Sequence, residues 1–123
     1  MPSHVVAVVD DDASVRRALT RLLQSADLRV LTYTSATEFL DTGLSIAPDC
    51  AILDIHLGGM SGLELLLRLR GLGHDLPVLI ITAQDDAQSR EVATRAGCMA
   101  YLCKPLNASE LLEEVATAVR RAA

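Results

Sequence analysis

Apolar and polar positions follow two rhythms along this chain. His4 to Val9 is almost wholly apolar and β-branched, the pattern of a strand buried on both faces. It ends in three aspartates, Asp10, Asp11 and Asp12. Val15, Ala18, Leu19, Leu22, Leu23 and Ala26 then recur at helical spacing, with Arg16, Arg17, Arg21 and Gln24 opposite. Leu28 to Tyr33 predicts a second strand. Thr34 or Ser35 can cap a second helix, with Glu38 three residues after Ser35 as in a capping box, and this helix runs to about Gly43 with Phe39 and Leu40 as its apolar contacts. Pro48-Asp49 is turn chemistry, and the third strand, Cys50-Ala51-Ile52-Leu53, stops at Asp54. A third helix starts near Ser61 or Gly62 and ends near Gly71 or Gly73. Its leucines, at 63, 65, 66, 67, 69 and 72, exceed one buried stripe, so it is either deeply packed or presents a contact face. Pro77 to Thr82 predicts a fourth strand, Ala87 to Ala96 a weakly apolar helix ended by Gly97, and Met99 to Cys103 a fifth strand broken by Lys104-Pro105. Asn107 to about Arg121 forms a last helix, with Leu111, Leu112, Val115, Ala118, Val119 and Ala122 on one face.

Strands thus alternate with helices five times. That order demands an α/β fold with a parallel sheet and helices on both faces, because each right-handed crossover carries a helix. The C-terminal ends of parallel strands share one edge, where open α/β sheets bind ligands. Strand one delivers Asp10 and Asp11 to that edge, strand three Asp54, strand four Thr82 and strand five Lys104. Each alone has an ordinary reading: Asp54 as a turn cap, Thr82 as a strand end, Lys104 as a solvated charge. Asp12 reads as a cap or N-terminal charge on the first helix. Carboxylates held together repel, and a hard oxygen cluster of this kind suits Mg²⁺. A lysine and a hydroxyl beside it suit phosphoryl oxygens, and a carboxylate can itself be the nucleophile that forms an aspartyl-phosphate.

Composition narrows the field. The 123 residues form one domain spanning 1–123, half apolar and under a quarter charged. Aromatic residues are limited to Tyr33, Phe39 and Tyr101, so the core is Leu, Val, Ile and Ala. A net charge of −5 argues against nucleic-acid contact by this segment. No apolar run approaches the length of a membrane span, and Met1-Pro2-Ser3-His4 lacks the features of a signal peptide. Cys50, Cys98 and Cys103 have no metal-ligand spacing and read as small buried thiols of a cytoplasmic protein.

Five segments, in order, now resemble the receiver domain of two-component response regulators. They are Val8-Val9-Asp10-Asp11-Asp12, Ile52-Leu53-Asp54-Ile55, Met60-Ser61-Gly62-Leu63-Glu64-Leu65, Ile81-Thr82-Ala83 and Tyr101-Leu102-Cys103-Lys104-Pro105. The wording around Asp54 and Thr82 is similar to the nitrogen-fixation-type branch. The resemblance implies a flavodoxin-like, doubly wound (βα)5 fold in three α/β/α layers, strand order 2-1-3-4-5. It implies that Asp54 accepts a phosphoryl group from a sensor histidine kinase or phosphotransfer protein. Asp11 and Asp54 would ligate Mg²⁺ directly, Asp10 mainly through water, and the backbone carbonyl of His56 would complete the protein ligands. Lys104 would pair with the phosphoryl group, and Thr82 would move to bond it. Tyr101 would be an aromatic switch, although it could equally be packing. The 87–121 face would signal to an output domain or partner protein, or form a homodimer.

The resemblance has departures. The family's usual proline four residues after the acceptor is Gly58 here, beside Gly59, which implies a looser or differently shaped loop. His56 and Gln84 occupy positions that tune water access and hence the lifetime of the phosphorylated state. Ala83 is small, in keeping with an open route to Asp54. Such a module is a phosphoryl acceptor with at most intrinsic autophosphorylation and autodephosphorylation, not an enzyme on an external substrate. It would be either a stand-alone receiver or the N-terminal half of a transcription regulator. The alternative from another class is a small Mg²⁺-dependent aspartyl-phosphate phosphohydrolase, but its acid/base aspartate two residues after the nucleophile is His56 here. A flavodoxin-like FMN binder fits worse, because the acidic site would repel the cofactor phosphate.

Overall fold

A computed structural model describes residues 4–122. The strands are β1 (Val5–Val9), β2 (Arg29–Tyr33), β3 (Cys50–Asp54), β4 (Val78–Thr82) and β5 (Ala100–Cys103). The helices are α1 (Ala13–Gln24), α2 (from Ala36), α3 (Gly62–Gly71), α4 (Ala87–Arg95) and α5 (Ala108–Ala122). All strands pair in parallel in the order 2-1-3-4-5. The central strands are the ones with unbroken apolar runs: β3 and β4 are buried throughout. At the edge, β2 is mostly open and carries the exposed Arg29 and Thr32.

Side-chain alternation sorts the core into two layers. Ala7, Val9, Leu53 and Ile80 face Phe39, Leu65, Leu66 and Leu69 on the side of α2, α3 and α4. Val6, Val8, Ile52 and Ile81 face Leu19, Leu23, Leu111 and Val115 on the side of α1 and α5. Most expected elements stand within a residue or two of their predicted limits. The apolar stripe of α1 is narrower than its spacing suggests: Ala18 and Ala26 are exposed, and Leu19 and Leu23 are the buried contacts. The leucine excess of α3 resolves both ways. Leu65, Leu66 and Leu69 are fully buried, whereas Leu67 is 50% and Leu72 61% exposed.

The second helix departs most from its prediction. Ser35 caps it, accepting from the Glu38 amide, but Glu38 reaches back to the Thr34 amide rather than to that of Ser35. After Ala36–Glu38 the coil widens into a π-helical turn over Phe39–Gly43 and closes as a 3₁₀ turn over Leu44–Ile46. Phe39 packs edge-on against Tyr33 at 5.3 Å between ring centres. A side chain at residue 43 would strike the Phe39 ring, so glycine there lets the aromatic pair set the path of the turn.

Two arginines tie loops to this frame. Arg70, in the last turn of α3, donates to the carbonyls of His74 and Leu76 and, across to α4, to those of Ala96 and Gly97. Arg16 in α1 donates to the Asp10 carbonyl at 2.8 Å. The thiols divide by position. Cys50 is buried and Cys98 half-buried, but Cys103 is exposed at the end of edge strand β5, which corrects the expectation of three buried thiols.

Candidate functional site

Strand register brings the acidic residues together. Val9 pairs with Leu53, so Asp10 lies level with Asp54 on the neighbouring strand. Asp54 pairs with Ile81, one residue before Thr82, and Thr82 pairs with Cys103, one residue before Lys104. The Lys104 amide donates to the Thr82 carbonyl at 2.7 Å, which holds the end of β5 against β4, and the Lys104–Pro105 peptide is cis.

Within this edge, Asp10 and Asp54 are buried and Asp11 is exposed. One carboxylate oxygen from each of the three lies within 4.8 Å of the others. Lys104 Nζ donates to Asp54 Oδ2 at 3.1 Å and to Asp10 Oδ2 at 3.3 Å. The remaining oxygens of the buried pair are held by the chain: Asp10 Oδ1 accepts from the Asp12 amide, and Asp54 Oδ1 from the His56 amide. Burial pushes the Asp10 carboxyl above the usual carboxylate range, and the Asp54 charge adds to this; the Asp12 amide and Lys104 only partly offset it. Burial works against the Lys104 ammonium too, but its hydrogen bond to Asp54 and the charges of Asp54 and Asp10 outweigh it and raise its pKa. Asp12 stands apart, as expected, capping α1 through the amides of Ser14 and Val15 and the Ser14 hydroxyl. The Ser14 contacts hold its carboxyl below the usual range.

Three carboxylates against one ammonium leave the edge acidic, and their oxygens form a hard donor set of the kind Mg²⁺ takes.

Thr82 is buried at the same edge, and among the described residues its hydroxyl makes no hydrogen bond to Asp54. Its hydroxyl closes a local turn, donating to the Gln84 carbonyl and accepting from the Gln84 amide. The side chains of His56 and Gln84 are exposed on the rim. Tyr101 is set back from the carboxylates, with its ring beneath Arg90 and its hydroxyl enclosed. Gly58 and Gly59 have no neighbour in the space a side chain would take, and Gly59 adopts a left-handed conformation at φ +79°. A side chain at either position would therefore meet open space.

Three contributors escape sequence reasoning. Arg16 pins the backbone of Asp10 from α1. Gly62 is the first residue of α3, where a side chain would collide with the Asp54 carbonyl. Its signal is visible in retrospect: a glycine directly after the cap Ser61, where better helix formers are available. Arg90 carries no sequence signal, because its partner Tyr101 lies on another element.

Comparison with known proteins agrees with this arrangement. Residues 6–116 match the response regulator receiver domain. The transcriptional regulatory protein TdiR of Thauera aromatica is 41% identical over 117 residues, 95% of this chain and 52% of the relative. The transcriptional regulatory protein FixJ of Azorhizobium caulinodans is 36% identical over 124 residues, 100% of this chain and 59% of the relative. The chain thus spans little more than half the length of these relatives. The crystal structure of a CheY-like receiver domain protein from Methanospirillum hungatei superposes with a TM-score of 0.91 at 25% identity, covering 98% of this chain and 97% of that one. Fold, site edge and relatives converge: the chain belongs to the response regulator receiver domains, the phosphoacceptor modules of two-component signalling.

Proposed function

We propose that Asp54 is the phosphoacceptor of this receiver. The observation that carries the reading is the Asp54 carboxylate itself: buried at the end of β3, beside Asp10 and Asp11, and bonded by Lys104. Asp10, Asp11, Asp54 and the His56 carbonyl would hold Mg²⁺. The ion supplies positive charge that shields the carboxylates and the phosphoryl oxygens when bound.

The chain's own part is positioning and charge. The His56 amide fixes Asp54 Oδ1, so the carboxylate attacks from one defined orientation. Oδ2 is the atom that Lys104 holds. An Asp54 oxygen bonds phosphorus as the bond from phosphorus to the donor's histidine nitrogen breaks, and the electron pair leaves with that nitrogen. Lys104 then exchanges its carboxylate contact for a phosphoryl oxygen. Thr82 exchanges its turn with Gln84 for another, so the β4–α4 connection changes shape and the 87–121 face changes with it. The donor is a sensor histidine kinase or phosphotransfer protein. The receiver of the signal is an output domain or partner protein, with a homodimer through the same face as one form of it. The setting is the cytoplasm, and hydrolysis of the aspartyl-phosphate is intrinsic rather than turnover of an external substrate.

The test is incubation with acetyl phosphate and Mg²⁺ followed by intact mass. One phosphoryl group is added to the native chain and none to Asp54→Asn. Equal labelling of Asp54→Asn overturns the assignment.

A further inference from the structure

Basic side chains crowd one side of α1. Arg16, Arg17 and Arg21 line a groove between this helix and edge strand β2, together with Thr20 and Thr32. The groove has a volume of about 300 Å³, and no carboxylate lines it. Although the chain is acidic, with a net charge of −5, none of the three guanidinium groups forms an ion pair among the described residues. The arrangement is unfavourable for the helix alone. Arg17 and Arg21 stand four residues apart, where like charges repel. Arg16 and Arg17 lie near the positive end of the helix dipole, and the first turn holds no acidic residue. The cap Asp12 directs its carboxylate to Ser14 and Val15 instead. An anion in the groove would relieve both repulsions.

We propose that this groove is a binding site for a small anion carrying a diphosphate group. Guanidinium forks match phosphate oxygens. Arg16 spends one N–H on the Asp10 carbonyl at 2.8 Å and keeps the rest of its five donors. The Thr32 hydroxyl adds a neutral donor from β2, whereas that of Thr20 is already given to the Arg16 carbonyl. From Arg16 to Arg21 the helix rises about 7.5 Å, a span that suits two linked phosphoryl groups better than one. The volume lies at the lower end for small-molecule sites, so a nucleoside attached to the diphosphate would lie outside. A polyanionic strand fits worse, because the exposed Asp11 and Asp12 at the start of the helix repel it. The site stands apart from the acidic edge and does not rest on the acceptor role of Asp54.

The experiment titrates inorganic pyrophosphate into the native chain at low ionic strength with EDTA present, read by calorimetry and amide NMR. One pyrophosphate is expected to bind per chain, with amide shifts centred on residues 13–21 and Thr32. Asp54→Asn binds equally, which separates this site from the acceptor reading. Arg17→Gln and Arg21→Gln each weaken binding about five- to tenfold, the size of one charged hydrogen bond shared with water, and Arg68→Gln on the exposed side of α3 changes it less than about twofold. Amide spectra away from α1 and β2 report that each variant is folded. ADP binding with the same shifts assigns the diphosphate of a nucleotide as a source, and its failure to bind assigns the free anion. Absence of saturable binding, or equal weakening by Arg68→Gln, overturns the site. Tighter binding of a single-stranded oligonucleotide or of an acidic peptide overturns the small-anion assignment.

Discussion

Lys104 Nζ bridges two buried carboxylates, 3.1 Å from Asp54 Oδ2 and 3.3 Å from Asp10 Oδ2. The folded chain raises the Lys104 pKa, so the pair's contribution is complete below the ordinary lysine range and is lost as pH climbs through the folded value. At neutral pH it is fully present. Lys104→Met is expected to lower stability by about 1–3 kcal/mol at pH 7, less than a wholly buried pair because the lysine is partly in water. Urea unfolding measures the loss, and added Mg²⁺ recovers part of it. A variant as stable as the native chain would mean that solvent already screens the pair.

Asp10 runs the other way. Its pKa is raised by burial, so the favourable contribution exists at low pH and disappears as pH rises through the folded value. The ionised group therefore opposes folding at neutrality. Asp10→Asn is expected to raise stability at pH 7 in the absence of added metal. The gain should fade towards pH 3–4, where the native carboxyl is protonated as well. Urea midpoints across pH check this, and a gain that does not vary with pH would point to packing instead.

Gly62 leaves no room for a methyl group beside the Asp54 carbonyl. Gly62→Ala must shift either α3 or the end of β3, costing about 1–3 kcal/mol and slowing labelling by acetyl phosphate. Gly71, at the other end of α3, faces open space. Gly71→Ala is the control, expected to be neutral or stabilising by up to about 1 kcal/mol.

The thiols should react in order of burial. The Cys50 thiol is pushed up to about 12, mainly by burial and further by the Asp49 charge. Burial also raises that of Cys98. With iodoacetamide at pH 8, Cys103 is expected to be alkylated first, Cys98 slowly, and Cys50 only when the chain unfolds. Peptide mass mapping over time reads the order, and early loss of Cys50 would contradict a sealed core.

His56 and Gln84 have exposed side chains on the rim near Asp54, and the proposed acceptor role of Asp54 would let them govern access of water to an acyl phosphate. His56→Ala and Gln84→Ala are expected to change the dephosphorylation half-life severalfold while leaving the amount of label taken up unchanged. Half-lives equal to that of the native chain would remove both residues from this role.

The parts of the molecule legible in the chain are those governed by short-range pattern. Unbroken apolar runs ending in Asp10, Asp54 and Thr82 identify the central strands, and Lys104 ends a fifth strand at the same side of the sheet, because parallel pairing leaves few other arrangements. Ser35 and Ser61 announce their helices through local capping bonds. Long-range contacts remain hidden. The π-helical turn of α2 depends on Phe39 meeting Tyr33. The exposure of Cys103 depends on β5 being an edge strand. Arg90 lies over the Tyr101 ring, a contact between two elements that helical spacing, which places Arg90 simply on a polar face, does not reveal.

The two ends of α4 are tethered unequally. Arg70 gathers the carbonyls of Ala96 and Gly97 at its C-terminal end and those of the α3–β4 loop into one guanidinium. At the other end, Asp86 caps the helix from within its own loop, and the Asp85–Arg90 pair is open to water. A rod fixed at one end and loosely moored at the other swings rather than slides. A small displacement near Thr82 is then greatest in the first turn of α4 and dies away towards Arg95, with Arg70 as the fulcrum.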